Sequence, residues 1–254
     1  MRISRVFIDT ALHAGGEIEL PRDSVDHLVK VLRLGVGARI TLFNGRGGEY
    51  AATLSRLERR GATAAVLAHD PIERESPLAI TLMQAVTRGE KMDWVLQKST
   101  ELGVAAIQPI EAARSVVQLD ADRAEKRRAH WHGILRSACE QCGRNRLPRM
   151  LLPTNLDDAC RAFAREAPDA LRLTLEPNAA AALDSAALRT TALSARSVAI
   201  LIGPEGGWSE AELQSAASAG FTGMRLGPRV LRTETAAIAA LTAIQTIAGD
   251  LARD

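Results

Sequence analysis

The sequence predicts an α/β protein whose larger C-terminal half is organised around a parallel sheet, preceded by a small β-rich domain with one helix. Three observations carry this reading. Short strand-like runs crowd residues 5–69, with a single helical interruption. A charged, proline-bracketed stretch, DPIERESP at residues 70–77, then breaks the pattern. After it, apolar runs alternate with helical periodicity, the order expected of parallel strands joined by helical crossovers.

In the first part the strand-like runs are RVFI, ARITLF, EYAATL and ATAAVLAH, with an Asn44-Gly45-Arg46-Gly47-Gly48 turn between the second and third. The interruption, DSVDHLVKVLRL, places Val25, Leu28, Val29 and Leu32 on one face at helical spacing. Residues 71–77 form the expected linker, dividing a domain at 1–70 from one at 78–254.

In the second part the runs LAITLMQAV, VAAIQPI, ALRLTLE and SVAILIG supply the strands. Ser209-Glu210-Ala211-Glu212 is a capping box, in which serine and glutamate satisfy each other's backbone amides, so a helix should start at Ser209. Residues 235–249 contain no charged side chain, yet the stretch is too short and too threonine-rich for a bilayer. It reads as a helix buried on several faces, as at a subunit interface.

The chain has 254 residues, 46% of them hydrophobic, enough to bury a sizeable core. No stretch has the length or apolarity of a signal peptide or a membrane span, so a soluble cytoplasmic protein is expected. Cys139, Cys142 and Cys160 are an odd set with no export signal, which argues against a disulfide framework. Arginine outnumbers lysine 28 to 4, which suits planar hydrogen bonding to phosphates, although genomic nucleotide bias would enrich it equally. The positive excess is central: residues 76–150 carry 12 basic against 8 acidic side chains. Within it Arg123, Lys126, Arg127, Arg128, Arg136, Arg144, Arg146 and Arg149 form a footprint for a polyanion or, more plainly, a solvated helix face.

The sharpest motif is AILIGPEGGWSEAEL, an apolar strand running into Gly203-Pro204-Glu205-Gly206-Gly207 and then the capped helix. Ligands of open α/β sheets bind beyond the carboxyl ends of strands, and glycines there admit close approach of a ligand to the main chain. The loop lacks both the Gly-Lys-Ser/Thr of a phosphate loop and GxGxxG spacing, so alone it is a tight turn, and a nucleotide hydrolase is disfavoured. A second Gly- and Pro-bearing loop, Leu226-Gly227-Pro228-Arg229-Val230-Leu231-Arg232-Thr233, follows the next short strand and should lie beside the first.

Zinc is disfavoured for His130, His132, Cys139 and Cys142, because on one helix His130 points about 200° away from His132. A redox role for the CxxC lacks the strand context. Lys91, Trp94, Lys98 and Glu101 form one helical stripe opposite Met92, Val95, Leu96 and Leu102, by default a solvated face. With four Phe, three Trp and one Tyr, base stacking is poorly supplied, so any RNA recognition should lean on arginine and shape.

The pairing of GPEGG with LGPRVLRTETA closely resembles the donor-binding core of the SPOUT methyltransferases, and in particular the RsmE family of 16S ribosomal RNA (uracil-N3) methyltransferases. VTRGEKMDWVLQKSTELGV, the Arg114-Ser115-Val116-Val117 run and SACEQCGRNRLP resemble that family's middle segments, in order. HLVKVLRLGVG and FNGRGGEY resemble its PUA-like N-terminal barrel, so the likeness covers nearly the whole chain.

The resemblance implies a parallel sheet with a C-terminal trefoil knot, a PUA-like RNA-binding domain over 1–70 and a homodimer. It implies S-adenosyl-L-methionine (SAM) held by Leu175 and Glu176, by Ile202, Gly203, Pro204, Glu205, Gly206 and Gly207, and by Leu226, Gly227, Leu231, Arg232 and Thr233. No metal and no membrane are expected, and the partner is 16S ribosomal RNA in the assembled small subunit. Methylating N3 requires loss of its proton, and the resulting negative charge spreads onto the flanking carbonyls, which an arginine can stabilise. Arg232 and Arg114 are the candidates, with Glu205 as base or loop organiser. Arg5, Arg33, Arg46, Lys98, Arg136 and Arg144 are expected to face RNA. A SPOUT enzyme acting on another ribosomal or transfer RNA base or a ribose 2′-hydroxyl, and a non-catalytic RNA-binding assembly factor, are the competing readings.

Overall fold

The computed structural model describes residues 3–58, 61–115, 121–182 and 196–252, with side chains in the third span from 125 onward. Val116 and Val117, and the side chain of Arg123, lie outside the described residues. Contacts divide the chain into two compact units, 1–75 with 136–147, and 76–135 with 148–254. Residues 136–147 thus group with the N-terminal strands, which a linear division at residues 71–77 does not express.

The first unit is a five-stranded sheet of β1 (Ser4–Phe7), β2 (Glu17–Glu19), β3 (Arg39–Phe43), β4 (Glu49–Glu58) and β5 (Gly61–Asp70), in the order β1-β3-β4-β5-β2. β1 runs parallel to β3 and the other pairs are antiparallel. Alternation along β3 and β4 sends Ile40, Leu42, Ala52 and Leu54 into one core. The helical stretch begins as α1 (Arg22–Asp26) but continues as a π-helical turn, His27–Val31. Leu32 N–H bonds the His27 carbonyl, five residues back. That wider turn spoils the α-helical register: Val25 and Leu28 are buried as the spacing predicts, whereas Leu32 is exposed.

The second unit contains β6 (Ala79–Ala85), α2 (Glu90–Glu101), β7 (Ala106–Glu111), α3 (Ala121–Cys142, its last turns grouped with the first unit), β8 (Arg149–Met150), β9 (Thr154–Asn155) and α4 (Leu156–Glu166). β10 (Leu171–Leu175), β11 (Ser197–Ile202), α5 (Glu210–Ser218), β12 (Thr222–Met224) and α6 (Thr233–Ile247) follow. The strand order is β12-β10-β11-β6-β7-β8, with β9 also on β7, and every pair is parallel. Both faces are covered, which is why the strands read as continuous apolar runs. Ile80, Leu82, Val198 and Ile200 pack with α2 and α6, while Met83, Ala85, Ala199 and Leu201 pack with α4 and α5.

Ser209 caps α5 with both halves of the capping box formed. In α6, only Thr235, Thr242 and Thr246 are exposed, so its apolar composition reflects burial around most of its circumference. No helix among the described residues is long and apolar enough to cross a membrane.

Candidate functional site

Three strand ends converge in the second unit. β10 ends at Leu175, β11 ends at Ile202, and the loop after β12 leads into α6. Together they wall a cavity of about 470 Å³, within the range of about 300–1,000 Å³ usual for small-molecule sites. Leu175, Glu176, Ile202, Gly203, Pro204, Glu205, Gly207, Leu226, Leu231, Arg232 and Thr233, all singled out from the sequence, line it. Gly206 and Gly227 do not. Gly206 instead packs against Arg114, where a Cβ would sit 3.2 Å from that of the arginine.

The two glycine-bearing loops meet although their strands are not neighbours, since β10 lies between β11 and β12. The Thr233 hydroxyl donates to the Gly203 carbonyl at 2.6 Å and accepts from the Gln84 side-chain amide at 3.0 Å. Gln84 and Thr233 are both buried. At Gly203 the need for glycine is steric: a Cβ would stand 3.0 Å from the indole nitrogen of Trp208, which packs into the same wall. At Gly207 it is conformational, with φ at +69°.

Charge is organised around Glu205. Lys91 on α2 bonds its carboxylate at 2.7 Å and approaches Glu234, at the start of α6, within 3.8 Å. The Lys91 hydrogen bond holds the Glu205 carboxyl below its ordinary value, and Glu205 raises the Lys91 ammonium in return. Arg114 sits outside the cavity and braces the loop, donating to the carbonyls of Gly206 and Trp208 at 3.3 Å each. Glu176 is pushed up by burial. The exposed Arg232 side chain contributes to the lining.

A family model described as an RNA methyltransferase domain matches residues 74–245, and one described as an RNA methyltransferase PUA domain matches 20–67. The ribosomal RNA small subunit methyltransferase E of Buchnera aphidicola from Schizaphis graminum is 33% identical, over 98% of both chains. That of Bacillus subtilis is 33% identical over 87% of each. The crystal structure of a ribosomal RNA small subunit methyltransferase E from Neisseria gonorrhoeae, bound to S-adenosyl methionine, superposes with a TM-score of 0.88 at 41% identity, covering 98% of this chain and 100% of the other. The chain belongs to the ribosomal RNA small subunit methyltransferase E family.

Within this family member, the residues expected to face RNA fall into two kinds. Arg33 and Arg46 are exposed, Arg33 with φ at +55° just beyond the π-helical turn. Arg5 and Arg144 instead lie inside the first unit, a departure from the expectation. Arg5 pairs with Glu49, donates to Asn145 Oδ1 at 2.6 Å and stacks over Phe43. Arg144 is 4% exposed and paired with Glu75. Both guanidiniums hold residues 136–147 within the first unit, Arg5 from β1 and Arg144 through Glu75 in the segment after β5. Arg136 lies over Phe7, and Lys98 is held by Glu101 at 2.9 Å. Cys139 is buried, which pushes its thiol up to about 12. Among the described residues no group of three or more His, Cys, Asp or Glu is placed to hold a metal.

Sequence reasoning missed several participants, Ala236 of the cavity wall among them. Trp208, directly after the GPEGG loop, carried a signal in its position. Lys91 belonged to a helical stripe with no mark of its own, and Gln84 sat in an apolar strand where a single amide invites little notice. Arg229 adds a second exposed guanidinium to the cavity lining.

Proposed function

We propose that this chain transfers a methyl group from SAM to N3 of a uridine in 16S ribosomal RNA. The observation that carries the reading is the cavity at three parallel-strand ends, in a chain 41% identical over its length to a SAM-bound ribosomal RNA small subunit methyltransferase E. Its make-up suits the cofactor. Leu175, Ile202, Leu226, Leu231 and Ala236 offer apolar walls for a purine, and the Glu176 carboxylate is an acceptor for hydroxyl groups. The Gly203–Gly207 and Leu226–Thr233 segments would grip the adenosine through main-chain atoms.

SAM supplies the electrophilic methyl group. Arg232, an exposed residue of the cavity lining, would stabilise the charge that develops on a uracil carbonyl as the N3 proton passes to solvent water. Glu205, held ionised by Lys91, suits loop organisation better than proton abstraction, and Arg114, spent on two loop carbonyls, serves the same end. Alignment by these fixed loops contributes much of the rate.

In this reading residues 1–70 form the PUA-like RNA-binding domain, 71–77 a linker and 78–254 the methyltransferase domain with a trefoil knot. The enzyme works in the cytoplasm as a homodimer on the assembled small subunit. Nucleoside mass spectrometry of 16S RNA from a deletion strain tests it. Loss of 3-methyluridine, restored by this chain, is the expected result, and an unchanged nucleoside profile would sink the reading.

A further inference from the structure

Gln84, the residue before the last in strand β6, pairs with Ile202, the residue before the GPEGG loop. Its side chain is 0% exposed and is not part of the cavity lining, but it is tied to that lining by two hydrogen bonds in series, through Thr233 to Gly203. The direction of those bonds follows from elementary inventory. The Gln84 nitrogen also donates to the Ala85 carbonyl at 3.0 Å. A carbonyl only accepts, so the amide must present nitrogen, not oxygen, to that side. The Thr233 hydroxyl therefore receives a proton from Gln84, and its own single proton is left for Gly203.

We infer that Gln84 is a positioning residue whose amide sets the polarity of the Thr233 hydroxyl, and that this polarity latches the two glycine-bearing loops together around the cofactor pocket. The inference rests on the proposed SAM-binding reading of that cavity. An acceptor at position 84 would reverse the relay, drawing the Thr233 proton to itself and leaving the Gly203 carbonyl without its donor. A protonated carboxylic acid would restore it. Because burial raises a carboxyl pKa, the side chain introduced by Q84E would change state at a pH above the ordinary glutamate range.

The experiment is calorimetric binding of S-adenosylhomocysteine, with thermal melting of the unliganded protein, between pH 6 and pH 9. The variants are wild type, Q84E, Q84M, T233V and Q84E/T233V. Wild-type affinity should be flat with pH. Q84E should bind within about threefold of wild type at low pH and lose about tenfold or more as pH rises, since hydrogen bonds involving charged groups are the stronger class. T233V should bind more weakly at every pH, and the pH dependence of Q84E should vanish in the T233V background, in both binding and melting. Q84M, which removes the donor that sets the Thr233 hydroxyl but leaves that hydroxyl able to donate to Gly203, should bind about threefold more weakly than wild type at every pH, a smaller loss than that of T233V.

Flat Q84E behaviour, or a pH dependence that persists without the Thr233 hydroxyl, would overturn the relay. If Q84E does not fold, Q84M against T233V decides, and equal losses overturn it. If wild type takes up no S-adenosylhomocysteine, the cofactor reading fails by itself, and the melting cycle still decides whether position 84 and Thr233 are coupled.

Discussion

Lys91, in the first turn of α2, holds the carboxylate of Glu205 at 2.7 Å and thereby fixes the charge state of the loop that closes the cavity. The relationship is between a helix that the sequence marks as solvated and a loop that it marks as functional. It gives Glu205 a partner that competes with any role as proton acceptor, since a carboxyl held low is a weak base.

Glu205→Gln should therefore cost less than about tenfold in turnover and leave the acidic limb of the rate profile where it was. The pH dependence of stability has a definite sign. The folded-state pKa of Glu205 is depressed, so its contribution is present above the unfolded glutamate value of about 4.3 and is lost as pH falls through the lower folded value. The pair is half-exposed, so the effect is small and shrinks with salt. Melting curves of wild type and E205Q from pH 3 to pH 7 check it: the two should converge at the acid end.

Arg232→Ala should keep cofactor affinity and lose about 10²–10³ in kcat, the usual cost of removing one charge-stabilising donor. Single-turnover methyl transfer alongside calorimetry separates the two quantities. Normal turnover would remove Arg232 from the chemistry.

Gly203→Ala places a methyl group against the Trp208 indole, whose nitrogen and Cε2 would stand 3.0 and 3.2 Å away. Either the ring or the loop must yield, at about 1–3 kcal/mol, the usual range for overpacking. Weaker cofactor binding is expected, together with a changed indole fluorescence. A variant with unaltered emission and affinity would show that the wall is softer than its packing suggests.

The basic residues of the first unit should separate by assay. Arg5→Ala removes a guanidinium whose side chain is 8% exposed and strands Glu49, which keeps Arg74 at 3.0 Å and some solvent. A loss of about 3 kcal/mol in urea denaturation, the low end for breaking a buried pair, is expected. Glu49 itself is pushed up by burial, but the hydrogen bonds of Arg5 and Arg74 outweigh this and hold its carboxyl below the ordinary range. Arg46→Ala, on an exposed turn, should leave stability unchanged within about 0.5 kcal/mol and reduce the salt slope of RNA binding by about 1. An R5A protein of wild-type stability and flattened salt dependence would reverse the assignment.

Much of this molecule is legible in one dimension because the signals are local. Period-2 and period-3.6 apolar patterns mark strands and helices from neighbours a few residues apart, and the capping box at Ser209 needs only four residues to announce a helix. The glycine-bearing loops after β11 and β12 are likewise local features, as is the absence of charge along α6. What needed the tertiary structure is every relationship that joins distant segments. The π-helical turn at His27–Val31 leaves Leu32 exposed against its spacing. The burial of Arg5 and Arg144 depends on residues 136–147 folding back onto β1 and onto Glu75, 139 and 69 residues earlier, which charge counting along the chain cannot register. The contact of Thr233 with Gly203, and the amide of Gln84 behind it, arise because β10 inserts between β11 and β12 while their loops still converge above the sheet. Composition and periodicity report how a residue suits its own element; hydrogen-bond direction, pairing and burial are properties of pairs, and strand order alone decides which pairs exist.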